Sequence, residues 1–220
     1  MDRHLFHYNC LIWGRLPFWI ATGISALALL LACTDANTPA ALRPEVTARY
    51  LIWLGGIGAT LAAVSIFHPE NPLEIEPLAT ITASISNILF SRWVIVMALT
   101  TLPAWAALLG AEALSGRPLF SSWAPGAIAF LAAIVLFGGA AFFVSAVGRL
   151  SLSGIVAGIL LLLIATIVQF PDRIQAISLF RSNEAWIQPG LWWASRLVYF
   201  AVGVSLAWLG AVRLSDFDYL

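Results

Sequence analysis

Lysine is absent from this chain, and all eleven basic side chains are arginine. Eleven Asp and Glu balance them, so the net charge is zero and no basic surface offers itself to nucleic acid. Charged residues of either sign make up only 10% of the 220 positions, too little polar surface to wrap a soluble globule of this length. Cysteine is limited to Cys10 and Cys33. They stand at opposite ends of the first apolar segment, roughly 30 Å apart at about 1.5 Å per helical residue, too far to pair. Histidine is limited to His4, His7 and His68, all outside the apolar runs. His4 and His7 are spaced to share a metal, but no further ligand accompanies them. No H-E-x-x-H, G-x-S-x-G or Cys-x-x-Cys is present, nor any P-loop. The chain is therefore not expected to be an enzyme by itself, and it cannot hydrolyse ATP alone.

What is abundant is apolar: 61% of residues are hydrophobic and the mean hydropathy is +0.92. The expected fold is all-α, a polytopic membrane protein with six transmembrane helices in one domain, 1–220. Residues 1–15 mix apolar and charged side chains and read as an interfacial helix. Spans one and two occupy 16–67, the first from about Leu16 to Cys33 and the second from about Thr47 to Phe67. The run Leu30-Leu31-Ala32-Cys33 looks like a lipoprotein cleavage box, but further membrane segments follow it. Spans three to five fill 93–170: Trp93 to about Leu114, interrupted in pattern by Pro103, then about Trp123 to Val147, then about Gly154 to Phe170. Residues 171–190 form a loop with short helical spacings and an aromatic belt. The sixth span and tail take 191–220.

Between spans two and three lies 68–92, helical in pattern and too polar to remain in a bilayer. Ile75, Leu78, Ile81, Ile85, Ile88 and Leu89 fall on one stripe, opposite Thr80, Thr82, Ser84, Ser86 and Asn87. Glu74, Glu76 and Pro77 suit the first turn of such a helix. Ser91, Arg92 and Trp93 are expected to close it at a membrane interface. An interfacial helix that merely joins two spans has the same pattern. Small residues Gly55, Gly56 and Gly58 in span two, and the pair Gly154 and Gly158 in span five, mark places where helices can approach closely. Glu112 is expected near an interface, facing water, and Arg196 is expected to snorkel from the start of span six.

With these residues in view, the chain resembles the membrane permease subunit of type-2 ABC exporters. The likeness rests on three stretches. Leu11-Ile12-Trp13-Gly14-Arg15-Leu16-Pro17-Phe18-Trp19 is similar to that family's interfacial entry helix. Glu74-Ile75-Glu76-Pro77-Leu78 followed by Phe90-Ser91-Arg92-Trp93 is similar to the start and finish of its cytoplasmic coupling segment. The loop from Pro171 to Gly190 is similar to its external helices. The haem-exporter-type permease of cytochrome c maturation, of similar size, is a second resemblance. The resemblance implies an ATP-binding-cassette ATPase subunit as partner, approached by Glu74, Ile75, Glu76, Leu78, Ile81 and Ile85, with Arg149 in the turn on the same side. It also implies a second permease copy or a homologous permease, a place in the cell (inner) membrane with both termini cytoplasmic, and ATP with Mg held by the partner, this chain holding no cofactor. A non-transporting membrane scaffold is the alternative from another class, and a gradient-driven carrier a third.

Overall fold

A computed structural model of the chain describes residues 15–35, 39–66, 85–116, 123–168, 171–180 and 184–215. Among these residues there is no strand. Six long helices follow one another: α1 (Arg15–Thr34), α2 (Arg43–Ser65), α3 (Ile85–Ser115), α4 (Trp123–Gly148), α5 (Ser151–Ile167) and α6 (Pro189–Ser215). Short 3-10 turns at Ala40–Leu42 and Asp172–Ile177, and a single helical turn at Glu184–Ile187, lie in the connections. Helices α2, α3, α4 and α6 are long and apolar enough to cross a membrane. The apolar part of α1, Phe18–Thr34, and the whole of α5 are shorter. The 17 residues of α5 reach about 25 Å, against the roughly 30 Å of a bilayer's hydrocarbon core. Six helices thus stand where six spans are expected, and four of them have spanning length.

Local chemistry explains the boundaries. Pro44, ahead of the expected start of the second span, occupies the first turn of α2, where its missing N–H costs nothing, and Glu45 beside it faces the positive end of the helix dipole. Helix α2 accordingly begins four residues ahead of Thr47. Helix α3 is the larger departure. It runs unbroken for 31 residues, through Ser91-Arg92-Trp93 and through Pro103. The amphipathic pattern therefore does not close at Arg92, because the helix that carries Ile85 and Ile88 is the same helix that goes on to Ser115. The Thr100 and Thr101 hydroxyls both donate to the Met97 carbonyl, at 2.8 and 2.7 Å, in the turn before the proline. Gly116, at φ +69°, ends α3 in the left-handed region that other residues enter at a cost.

Helix α4 is the centre of the bundle. It is built largely of Ala, Gly and Phe and is buried along most of its length, while α2, α3, α5 and α6 pack around it. Their directions follow from which residues meet. Ala48 lies beside Gly126 and the Ala59 carbonyl beside Gly138, so α2 and α4 are parallel. Gly203 lies on Val135 and Gly139, and Gly210 on Phe142, so α6 is parallel to them. Helix α3 is antiparallel, with Leu108 at Gly126 and Met97 at Gly138. So is α5, with Gly154 at Val64 and Gly158 at Thr60. Helix α1 runs with α3, its Ile20 to Ser25 stretch near Thr100 and its Leu29 at Gly110. Successive helices alternate, and one end of the bundle collects Arg15, Ile66, Ile85, the Gly148–Ser151 turn and Ser215.

Lipid tails are as apolar as leucine, so helices in a bilayer associate through close packing more than through hydrophobic burial. Small residues supply that here. Gly55 meets the Phe130 ring, Gly56 the Phe137 ring, and Gly58 the Ile24 side chain. Gly154 sits against Ser145 and the Ala141 carbonyl, and Gly158 against Thr60. One polar link adds to the packing of α2 on α5: Trp53 Nε1 donates to Thr166 Oγ1 at 3.2 Å.

Candidate functional site

Two places gather polar chemistry on this apolar frame, one at each end. At the end that collects Arg15 and Ser215, the first turns of α3 are fastened to the bundle. Ile88 is buried, Asn87 is exposed, and the Phe90 ring stacks on Trp93 at 5.8 Å and meets Trp208 of α6 edge-on at 5.3 Å. Arg92 is only 4% exposed and Trp93 2%. An arginine expected to finish a helix at an interface is instead packed inside one, since α3 continues past it. The α4–α5 turn shares this end. Arg149 takes φ 55°, a left-handed conformation that lets the chain reverse immediately after Gly148, and it is exposed. Ser153 Oγ holds the turn, donating to the carbonyls of Leu150 at 2.6 Å and Val144 at 3.2 Å.

Of the residues expected to face an ATPase, Ile85 and Arg149 are thus brought to the same end of the bundle. Glu74, Ile75, Glu76, Leu78 and Ile81 lie outside the described residues, as does Cys10. The five glycines singled out for helix packing all lie buried between helices, as given above.

The opposite end holds the second place, and it differs from expectation at two residues. Glu112 does not face water within this fold: it is 0% exposed. Its Oε1 accepts a hydrogen bond of 2.7 Å from the backbone N–H of Trp123, the first residue of α4. A carboxylate from one helix thereby caps the next, where the dipole and the unpaired N–H groups favour negative charge. Two tryptophans brace the joint. Trp105 Nε1 donates to the Ala127 carbonyl and Trp123 Nε1 to the Trp105 carbonyl, each at 3.2 Å, with the rings edge to face at 5.6 Å.

Arg196 does not snorkel either. It is 2% exposed, and its Nη2 donates to the Ser178 carbonyl at 2.7 Å. Its guanidinium carbon lies 5.1 Å from the centre of the Trp192 ring and 5.8 Å from that of Tyr199. A long cationic side chain can turn inward at a helix start when carbonyls and aromatic faces wait there. The sequence marks the face but not what meets it: Trp192, Ser195, Arg196 and Tyr199 follow a three-and-four spacing on an otherwise apolar helix, while the Ser178 carbonyl comes from a separate stretch.

Among the described residues, no three His, Cys, Asp or Glu side chains gather where they could hold a metal ion. A shallow crevice between α1, α2, α3 and α4 is lined by Ile20, Ile24, Ser25, Gly58, Thr100 and Phe130, almost wholly apolar. Helix α3 joins one end of the bundle to the other without a break. Compared with family models, with curated proteins and with solved structures, the chain matches none.

Proposed function

We propose that this chain is the transmembrane permease subunit of an ABC transporter, an exporter, worked by a separate ATPase subunit. The observation that carries the reading is the course of α3. It begins at Ile85, at the end shared with the Arg149 turn, and continues for 31 residues to the capped joint at Glu112 and Trp123. At about 1.5 Å per residue it is some 45 Å long. A load applied at Ile85 reaches the far end without crossing a loop. Fastening at Phe90 and Trp208 passes the same load to α6.

In this reading six helices cross the cell (inner) membrane, with Arg15 and Ser215 on the cytoplasmic side. Glu74, Ile75, Glu76, Leu78, Ile81, Ile85 and Arg149 meet the ATPase. A second permease, identical or homologous, completes the unit. ATP and Mg are held by the ATPase, and this chain supplies no catalytic group. Closing of the ATPase pair favours one arrangement of the helices over another, and coupling requires only that the contact differ between the two.

The test is affinity purification of the chain from its native membrane in mild detergent, with mass spectrometry of what accompanies it. The expected result is an ATP-binding-cassette protein whose ATPase activity rises when the permease is present, and which is lost when Ile81 and Ile85 are both changed to Asp. Recovery of other stable partners without any such ATPase would refute the proposal and favour a membrane scaffold.

A further inference from the structure

The permease reading makes no use of the first three turns of α6. Trp192, Ser195, Arg196 and Tyr199 share one face there, and against it lies the stretch 171–180. Three consecutive carbonyls of that stretch face side chains of α6, two of them in short bonds. Tyr199 Oη donates to the Ile177 carbonyl at 2.6 Å and Arg196 Nη2 to the Ser178 carbonyl at 2.7 Å, while Ser195 Oγ, whose 2.7 Å bond runs back to the Trp192 carbonyl, shares its proton with the Ala176 carbonyl at 3.3 Å. Ala176 and Leu179 are buried by the contact, and so is Trp192 beneath them.

The stretch has little structure of its own. Its 3-10 turn is kinked at Ile174, with φ −130° and ψ 18°, and turn bonds run from Ile174 N–H to the Pro171 carbonyl and from Ser178 N–H to Gln175. It packs chiefly on α6 and on the Glu184–Ile187 turn. The glycine contacts of α6 with α4 lie further along the helix, at Gly203 and Gly210. Ser195 to Tyr199 sit about 9 to 15 Å from the start of α6. Irregular backbone at that depth is tolerated only where protein or water satisfies it.

We propose that residues 171–180 form a latched strap, which opens from α6 as one unit while the bundle stays folded, and that Arg196 is the positioning residue that latches it. Its bond is the charge-assisted one of the three, and the flanking rings hold the guanidinium in place. A small unit with few contacts of its own opens at lower cost than the core. Opening removes the Ser178 carbonyl from Arg196, so it requires water or an anion to take its place, and the closed strap keeps that face dry.

The test uses the full chain in lipid nanodiscs, where both faces meet reagent, with Cys10 and Cys33 changed to Ser and a single cysteine introduced by Ala176→Cys. The reporter is the rate of labelling by a membrane-impermeant maleimide, with Ala133→Cys in buried α4 as control. Arg196→Gln should raise labelling at position 176 at least about tenfold and leave position 133 protected, and Arg196→Lys should restore part of the protection. Equal rates at 176 with and without Arg196→Gln would overturn the proposal, and so would parallel acceleration at 133, which reports global unfolding. Should Arg196→Gln fail to accumulate, Tyr199→Phe deletes only one strap bond. It should raise labelling at 176 several-fold, and an unchanged rate in that variant overturns the proposal equally. Labelling needs no ATPase, so failure here leaves the permease proposal standing.

Discussion

Changing Gly203 to Ala tests whether the contact of α4 with α6 is set by backbone. A methyl group at Gly203 would meet the Val135 carbonyl oxygen, with the Val135 carbonyl carbon at 2.6 Å and the Leu136 nitrogen at 2.7 Å, where ordinary contact begins at 3.4 Å. Those are main-chain atoms of a helix buried along most of its length, so no rotamer change relieves the clash. The two helices must separate by something approaching 1 Å, and close-packed interiors yield poorly to that. Overpacking of this kind costs about 1–3 kcal/mol, against a helix-propensity gain of about 1 kcal/mol for replacing glycine by alanine. Because the clash is with main-chain atoms the cost falls toward the upper end of that range, and the net expectation is a loss of about 2 kcal/mol. Gly23→Ala is the matched control, because nothing lies within 4 Å of its added methyl, and it should gain up to about 1 kcal/mol. The assay is reversible unfolding of the purified chain in mixed micelles with rising SDS, followed by circular dichroism. Gly139→Ala presses on the same contact from the other side, since its methyl would meet Gly203 itself. Once one substitution has parted the helices the second costs less, so the double variant should fall short of additivity by about 0.5 kcal/mol or more. A Gly203→Ala chain as stable as the parent, or a pair that simply adds, refutes the reasoning.

The same assay separates three further expectations. Glu112→Ala removes the acceptor held by the half-buried Trp123 N–H and should cost about 1–3 kcal/mol, whereas Glu112→Gln keeps an acceptor oxygen and should lose about half as much or less; equal losses in the two variants would mean that the cap is not what matters. Gly158→Ala drives a methyl into Thr60 and should destabilise by about 1–3 kcal/mol, and adding Thr60→Ala, which removes the hydroxyl and methyl it meets, should recover part of that loss. Arg149→Gly removes a side chain from a left-handed position and should raise stability by about 1 kcal/mol. On the permease reading it should also weaken recovery of the ATPase, so a variant that is both more stable and fully able to hold that partner would take Arg149 out of the contact.

How much was legible beforehand differs from place to place. Each of the six apolar runs became a helix, with ends within about four residues for α1, α2, α4, α5 and α6, because long apolar runs between polar breaks leave the backbone few other ways to satisfy itself. The start of α3 was misplaced for a chemical reason. Ser91 and Arg92 look like a helix end when read along the sequence, and only the unbroken course of α3 through them, with Arg92 buried, shows otherwise. The glycines were legible as small residues but not as to what they touch. Gly203 and Gly139, which make the closest helix contact of α4 with α6, carry no mark that separates them from Gly23 or Gly190, which have nothing within 4 Å.

Composition and periodicity determined that the described residues are helical and that four of the helices are apolar enough to cross a membrane, since those properties depend on each segment's own residues. The sequence also shows that H-E-x-x-H, G-x-S-x-G, Cys-x-x-Cys and P-loop motifs do not occur along the chain. Which charges would be buried was decided by tertiary structure alone. Glu112 and Arg196 are dry because a helix start at Trp123 and a carbonyl at Ser178 come to meet them. Those partners stand 11 and 18 residues away along the chain. Nothing in a local pattern encodes such a meeting, because the free energy of a buried charge depends on what surrounds it in space and not on its neighbours in the chain.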